Sequence, residues 1–118
     1  MPSSWTIYHN PRCSKSRATL AILHDAGIQP AVVEYLKDTP TAAELDATFR
    51  KLGCEPPVAM RFGEPAAKEL GLHASDVRPR AEWLRLIVEH PILLERPIVI
   101  HGDTARIGRP PERVKELL

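Results

Sequence analysis

The chain has 118 residues, of which 43% are hydrophobic and 26% are charged, values that are ordinary for a globular protein and exclude the disordered and fibrous classes. Its 16 basic and 15 acidic side chains leave a formal charge of +1, so its charge favours binding to neither nucleic acid nor membrane. No apolar run approaches the length that spans a bilayer, and residues 1–5 lack the pattern of a secretory signal. We therefore expect a cytoplasmic protein that folds as a single domain over residues 1–118.

The first part of the chain predicts a strand, a helix and a second strand. Residues 5–9 are rich in β-forming side chains and are followed by a turn signal, which predicts a strand. Residues 14–26 carry recurring apolar positions, and Gly27 stands where a helix cap belongs, which predicts a helix. Residues 31–36 form a mostly apolar run, which predicts a buried parallel strand reached through the helical crossover.

The middle of the chain predicts helices. Thr41 and Glu44 have the spacing of a capping box, which predicts a helix that ends at Gly53. Prolines and glycines interrupt residues 54–71, so we expect short helices and loops there. Apolar residues at helical spacing after Pro79 predict another helix that ends near residue 90.

The end of the chain predicts a hairpin and a last helix. Two β-rich runs flank Gly102-Asp103, and a two-residue Gly-Asp loop predicts a type II′ hairpin. Pro110-Pro111 then opens a helix that carries Val114, Leu117 and Leu118. The element order predicts an α/β protein of thioredoxin-like fold, with a mixed four-stranded sheet and a helical insertion at about 40–91 between the βαβ and ββα units.

Cys13 lies between the predicted first strand and first helix. Unpaired backbone N–H groups and the positive end of the helix dipole favour a thiolate at that position. Arg12, Lys15 and Arg17 add positive charge within one turn, and His9 could take or share the proton. The alternative is a small buried hydrophobic residue beside a solvated cationic face. The position at a strand end and a helix start favours a nucleophile.

The second cysteine, Cys54, forms no Cys-x-x-Cys pair and no metal-ligand spacing with Cys13, so neither a metal site nor a disulfide framework is predicted. Cys54 could resolve an intermediate on Cys13. It follows a helix stop in a stretch without a cationic motif, however, which favours an incidental half-buried thiol.

Residues 7–17, with the sequence IYHNPRCSKSR, closely resemble the active-site segment of the glutaredoxin-linked arsenate reductases, the ArsC family of the thioredoxin superfamily. The resemblance extends through nearly the whole chain, and residues 10–17 are most similar to a short bacterial subgroup. It implies that Cys13 attacks arsenate and that Arg61, Arg96 and Arg109 hold the oxyanion. Three guanidinium forks suit this task, because each can donate to two oxygens of a dianion and reduce its repulsion of a thiolate.

The same resemblance implies further roles around Cys13. His9 corresponds to a histidine that lowers the pKa of the cysteine, and Pro97 to a cis proline that faces it. On the residues alone, His9 could be a strand-end residue with a solvent-facing ring, Pro97 could be trans, and Arg96 and Arg109 could be surface charges.

Further supporting positions are Asn10, Arg12, Ser16 and Arg17. Ser16 stands where dithiol relatives have a second cysteine, so the second electron pair must come from another thiol.

Three functions follow as hypotheses. The first is an oxidoreductase that reduces arsenate to arsenite through a Cys13 adduct, with glutathione as co-substrate, glutaredoxin as partner, no bound cofactor and a monomeric state. The second is a glutathione-dependent thiol–disulfide reductase, because arginine forks also suit carboxylates. The third is a redox-sensing regulator that binds RNA polymerase, against which Ser16 argues because such relatives carry a Cys-x-x-Cys switch.

Overall fold

The computed structural model describes residues 4–118, which form two compact units. The first unit takes in the chain up to Asp38 and from Arg96 to Leu118, and the second runs from Thr39 to Glu95. The second unit therefore includes the predicted insertion at about 40–91 and extends it to Glu95. That the two units make one domain over residues 1–118 stays a prediction.

The first unit is built on a four-stranded mixed sheet. Strand β1 (Trp5–Tyr8) leads through helix α1 (Ser14–Asp25) to strand β2 (Ala31–Val33), which pairs with β1 in parallel. Strands β3 (Ile98–His101) and β4 (Thr104–Ile107) form a hairpin, and β3 pairs with β1 in antiparallel. The strand order is β2-β1-β3-β4. This is the predicted mixed sheet with βαβ and ββα units, so the predicted fold class is confirmed.

The core of this unit lies where helix α1 and the last helical segment cover the sheet. It consists of Ile7, Leu23, Val99, Val114 and Leu117, which come from two strands and both helical segments. The aliphatic residues of the two central strands thus hold the end of β1 and the start of α1 in place. Cys13 lies at that junction.

Two local predictions in this unit need correction. The apolar run 31–36 is not a buried strand: β2 ends at Val33, and Val32 is 47% exposed because β2 is an edge strand with one neighbour. The last helix is a 3-10 helix over Pro111–Leu117, which buries Val114 and Leu117 but leaves Leu118 exposed. The i, i+3 spacing of the two buried residues suits three residues per turn.

The hairpin and the cis proline agree with prediction. Gly102 has a φ of 59° and Asp103 does not have a positive φ, which is the pattern of a type II′ turn. The Arg96–Pro97 peptide bond is cis, as predicted. The Arg109–Pro110 bond is also cis, which the sequence reasoning missed.

The second unit is helical. Helix α2 (Ala42–Leu52) begins at a complete capping box, in which Thr41 and Glu44 each accept a hydrogen bond from the other's backbone N–H. A 3-10 turn (Pro56–Ala59), helix α3 (Pro65–Glu69), helix α4 (Arg80–Glu89) and a second 3-10 turn (Pro91–Leu93) follow. Across residues 4–118, no helix is both long and apolar enough to cross a lipid bilayer.

Candidate active site

Cys13 is the N-terminal cap of helix α1. Its backbone is extended, with φ −92° and ψ 122°, and its carbonyl oxygen accepts a hydrogen bond from the N–H of Arg17 at 3.0 Å. Its own N–H donates to the carbonyl of Asn10 at 3.0 Å, which closes the loop between β1 and α1. The half-buried sulfur thus lies beside the helix N–H groups that have no partner within the helix. The predicted strand-to-helix position of Cys13 is confirmed.

Opposing effects act on the pKa of Cys13. Burial, the largest of them, raises it, since removal from water disfavours the thiolate. The backbone N–H groups of Ser16 and Lys15 lower it, and so do the positive charges of Arg96 and Arg109. Together these lowering effects outweigh burial, so the pKa of Cys13 lies below its ordinary value. A larger fraction of Cys13 is therefore thiolate, the nucleophilic form, than in an unperturbed cysteine.

Arg96 and Arg109 meet at the base of the β3–β4 hairpin. The antiparallel register pairs Ile98 with Ile107, so the residues just outside these strands come together. The Nε of Arg109 donates to the carbonyl oxygen of Arg96 at 2.8 Å. Both side chains are partly buried, and both lower the pKa of Cys13. The structure thus brings together Cys13 and two of the three predicted oxyanion-binding arginines, whose binding role stays a prediction.

Gly108 completes this base and was missed in the sequence reasoning. It is buried, and its N–H donates to the carbonyl of Pro97 at 2.9 Å. A Cβ at this position would lie within 3 Å of both the side chain of Thr19 and the ring of Pro97. The sequence around Gly108 carries no signal of this close approach, because Thr19 and Pro97 come from other segments of the chain.

His9 and Ser16 form a buried polar pair beneath the loop. The Nδ1 of His9 lies 2.6 Å from the hydroxyl oxygen of Ser16, which also accepts the N–H of Asn10 at 3.0 Å. Since Ser16 accepts from Asn10, its own proton can be donated to His9 Nδ1. Ser16 is fully buried and His9 is 7% exposed, so the alternative of a solvent-facing histidine ring is wrong.

The charge state of His9 follows from its surroundings. Burial lowers its pKa, Glu34 raises it and Arg17 lowers it, with a net shift downward. A histidine with a lowered pKa is mostly neutral near pH 7 and supplies no fixed positive charge to a thiolate. The predicted role of His9 in lowering the pKa of Cys13 stays a prediction.

The other predicted supporting residues brace the loop. The side-chain oxygen of Asn10 accepts the N–H of Arg12 at 3.0 Å. The guanidinium of Arg17 donates to the carbonyl of Pro11 at 2.9 Å. These two bonds tie Asn10 and Arg17 to residues 11 and 12 of the loop. Arg12 itself is exposed and directly precedes Cys13 in the chain.

Arg61, the third predicted oxyanion ligand, belongs to the second unit. Its N–H donates to the carbonyl of Leu93 at 2.7 Å, next to the bridge between Met60 and Leu94. Its guanidinium pairs with Glu64, and its Nε lies 3.7 Å from Glu95 Oε1. Two carboxylates therefore offset its charge within its own unit, and its oxyanion-binding role stays a prediction.

Cys54 lies in a different environment from Cys13. Burial raises its pKa, Arg80 lowers it and Glu55 raises it, with a net shift upward. Arg50 and Arg80 line the same cavity of about 250 Å³ as Cys54. Helix α4 supplies Arg80 from elsewhere in the sequence. The raised pKa makes Cys54 a poor nucleophile. Within residues 4–118, no group of three or more His, Cys, Asp or Glu side chains is placed to hold a metal ion.

Comparisons with known proteins agree on one family. The profile of the ArsC family matches residues 8–117. An arsenate reductase from Haemophilus influenzae is 49% identical over 113 residues, which cover 95% of this chain and 97% of that protein. An arsenate reductase from Neisseria meningitidis serogroup A is 46% identical over 113 residues, with coverage of 95% and 96%. The structure of an arsenate reductase from Vibrio cholerae superposes with a TM-score of 0.91 at 46% identity, over the full length of both chains.

Proposed function

Because this chain belongs to the ArsC family, we propose that it is an arsenate reductase in which the Cys13 thiolate is the nucleophile. The observation that carries the proposal is the position of Cys13 at the start of α1, where two helix N–H groups and the charges of Arg96 and Arg109 lower its pKa. The names of the relatives support arsenate as the substrate.

The first step joins sulfur to arsenic. Arsenate is mainly a dianion near neutral pH and repels a thiolate, so cationic donors must offset its charge. The guanidinium groups of Arg96 and Arg109 can each donate two parallel hydrogen bonds to oxyanion oxygens. The Cys13 thiolate then forms a bond to arsenic, and one oxygen leaves as water after it takes up protons. In this proposal Arg61 joins Arg96 and Arg109 on the oxyanion.

The second step needs a thiol from outside the chain. Reduction of arsenate to arsenite takes two electrons, which two thiols supply when they become one disulfide, with water as the other product. Ser16 cannot supply the second thiol, and the raised pKa of Cys54 disfavours it as a donor. We therefore assign that role to glutathione, which bonds to arsenic in the Cys13 adduct with loss of water. A glutaredoxin thiol then attacks the glutathione sulfur, so that a glutathione–glutaredoxin disulfide forms while the bond between glutathione sulfur and arsenic breaks and leaves its electron pair on arsenic. Water then cleaves the bond between Cys13 and the reduced arsenic, which releases arsenite and the Cys13 thiol.

The same chemistry indicates where the protein acts. Both cysteines are free thiols, which suits a compartment that keeps glutathione reduced. We place the protein in the cytoplasm as a monomer, without a bound cofactor.

The test is arsenate-dependent oxidation of NADPH in the presence of glutathione, glutathione reductase and glutaredoxin. The native protein is expected to turn over, Cys13→Ser to be inactive and Arg96→Ala to lose about 100-fold in kcat/KM, since a donor to developing charge is worth roughly that much. Arg109→Lys keeps the charge but loses the planar fork, so it is also expected to be impaired. Cys54→Ser is the matched thiol control and is expected to retain full activity.

Two results would contradict the proposal. An inactive native protein would remove arsenate as the substrate, and equal losses in Cys54→Ser and Cys13→Ser would remove Cys13 as the sole nucleophile. If the native protein instead reduces a glutathionylated substrate without arsenate, the function is that of a glutathione-dependent thiol–disulfide reductase. The guanidinium groups of Arg96 and Arg109 suit glutathione carboxylates as well as arsenate, and this observation supports the second function.

A further inference from the structure

A cavity of about 210 Å³ lies along the loop that carries Cys13. It is lined by residues 9–12 on one side and by Glu34, Leu36 and Lys37 on the other, all within the first unit. Arg12, directly before Cys13 in the chain, forms part of its wall. Cys13 itself does not line the cavity, but consecutive Cα atoms are about 3.8 Å apart, so the cavity wall reaches to within one residue of the nucleophile. The assigned roles of Cys13, Arg96 and Arg109 make no use of this cavity.

The segment after β2 shapes the far wall. The N–H groups of Lys37 and Asp38 both donate to the carbonyl of Glu34, at 2.9 and 2.8 Å, which turns the chain sharply after the edge strand. This turn leaves Leu36 42% exposed, so an apolar surface lies among the charged groups. A wall with this mixture suits a ligand that has both aliphatic and charged parts.

The charges on this wall are available to a ligand. The side chain of Lys37 is 84% exposed, and its only close carboxylate among the ion pairs of residues 4–118 is Glu34, at 3.9 Å. Ion pairs of this length between exposed groups are weak. Arg12 is also exposed. The cavity therefore presents two cations and one carboxylate on the loop that leads to Cys13.

We propose that this cavity binds a carboxylate-bearing arm of glutathione and directs the glutathione sulfur towards Cys13. Glutathione is a tripeptide thiol with a carboxylate at each end, an ammonium group at one end and a cysteine in the middle. Arg12 and Lys37 match a carboxylate, and Leu36 matches the aliphatic part of the arm. The volume is below the roughly 300 Å³ of a site for a whole drug-sized ligand, so the cavity takes one arm.

The proposal rests on the proposed function, which makes glutathione the co-substrate, but it can be tested without arsenate. The test reaction is attack of the Cys13 thiolate on glutathione disulfide. The S–S bond of the disulfide breaks, a new S–S bond forms between Cys13 and one glutathione, and the other glutathione leaves as a thiolate. Glutathione disulfide is the oxidant of Cys13, so no other oxidant or reductant is needed.

The measurement is the second-order rate of glutathione addition to Cys13, followed by intact-protein mass spectrometry. Native protein, Arg12→Ala and Lys37→Ala are compared, each in a Cys54→Ser background, and Lys115→Ala is the charge-matched control on an exposed lysine outside the cavity. Each variant is also treated with hydroxyethyl disulfide, which carries no charge. This neutral disulfide reports on the reactivity of the thiolate alone.

We expect Lys37→Ala to slow glutathione addition about threefold, the effect of one exposed ion pair, while its rate with hydroxyethyl disulfide stays within experimental error of native. The charge of Arg12 also lies near the thiolate, so the rate of Arg12→Ala with glutathione disulfide should fall about threefold more than its rate with hydroxyethyl disulfide. Lys115→Ala should react like native with both disulfides. Equal slowing with both disulfides would show altered thiolate reactivity and overturn the proposal, and so would the absence of slowing with glutathione disulfide.

Truncated disulfides identify the arm. The disulfide of γ-glutamylcysteine lacks the glycine arm of glutathione, and the disulfide of cysteinylglycine lacks the γ-glutamyl arm. With the disulfide that lacks the bound arm, native protein and Lys37→Ala should react at the same rate. Persistence of the difference with both would overturn binding of an arm. Because no arsenate is present, these rates hold or fail independently of arsenate reduction.

Discussion

Replacement of Gly108 by alanine adds one methyl group to a buried position between β4 and Arg109. An ideal Cβ at Gly108 lies 2.5 Å from Oγ1 of Thr19 and 2.8 Å from Cγ of Pro97, and real Cβ contacts essentially never fall below 3.0 Å. Neither neighbour can move easily. Thr19 is fully buried and its hydroxyl donates to the carbonyl of Lys15 at 2.8 Å, and Pro97 has a closed ring. The methyl group must therefore push the hairpin base and α1 apart.

The expected cost is that of overpacking, about 1–3 kcal/mol in the free energy of unfolding. For a chain of this length that corresponds to a fall in Tm of roughly 4 °C for each kcal/mol. A local effect accompanies it, because Gly108 is next to Arg109 and contacts Pro97, which follows Arg96. Displacement of these arginines from the sulfur should raise the pKa of Cys13 towards its ordinary value.

The assay is urea unfolding followed by circular dichroism, together with the pH dependence of Cys13 alkylation. Gly63→Ala is the matched control, since a Cβ at Gly63 meets no atom within 4 Å, and its unfolding free energy should stay within about 0.5 kcal/mol of native. Thr19→Ala removes the closest contact, so the added cost of Gly108→Ala should be smaller in that background.

Equal stability of Gly108→Ala and Gly63→Ala would refute overpacking at Gly108. An unchanged cost of Gly108→Ala when Thr19 is alanine would also refute it, because steric contact with Thr19 would then not be the cause.

Three further predictions concern the thiols, the buried polar pair and helix α2. In iodoacetamide alkylation followed by peptide mass spectrometry, the reactivity of Cys13 should rise at a lower pH than that of Cys54, since their pKa values shift in opposite directions; the reverse order would contradict this assignment. Ser16→Ala should cost about 1–3 kcal/mol in urea unfolding, because it leaves buried His9 Nδ1 without this partner, and an unchanged midpoint would show that the bond is not needed. Thr41→Ala should cost about 1 kcal/mol in thermal unfolding through loss of its capping bond, whereas Thr41→Ser should be nearly neutral.

Features that depend on a few neighbouring residues could be predicted from the sequence. The capping box at Thr41, the type II′ turn at Gly102 and the strand-to-helix junction at Cys13 are all present as predicted. In each case the backbone conformation or hydrogen bond involves residues no more than about four positions apart. The side-chain chemistry of that short segment therefore decides the local structure.

Other features depended on which elements pack together. The run 31–36 reads as a buried strand, but the sheet order places β2 at an edge. Arg80 reaches the surroundings of Cys54 only because α4 packs near α2 in the second unit. Likewise Glu95, which is distant from Arg61 in the sequence, becomes its neighbour only in the folded chain.

The candidate site also combines features set by neighbouring residues with features set by packing. The sequence by itself determined that Cys13 caps a helix and that arginines flank the hairpin, because both follow from local order along the chain. Only the tertiary structure decided that Ser16 is buried against His9 and that Gly108 must be small. Both depend on the distance between groups on different elements. A clash of less than 1 Å between such groups leaves no periodic pattern in the sequence.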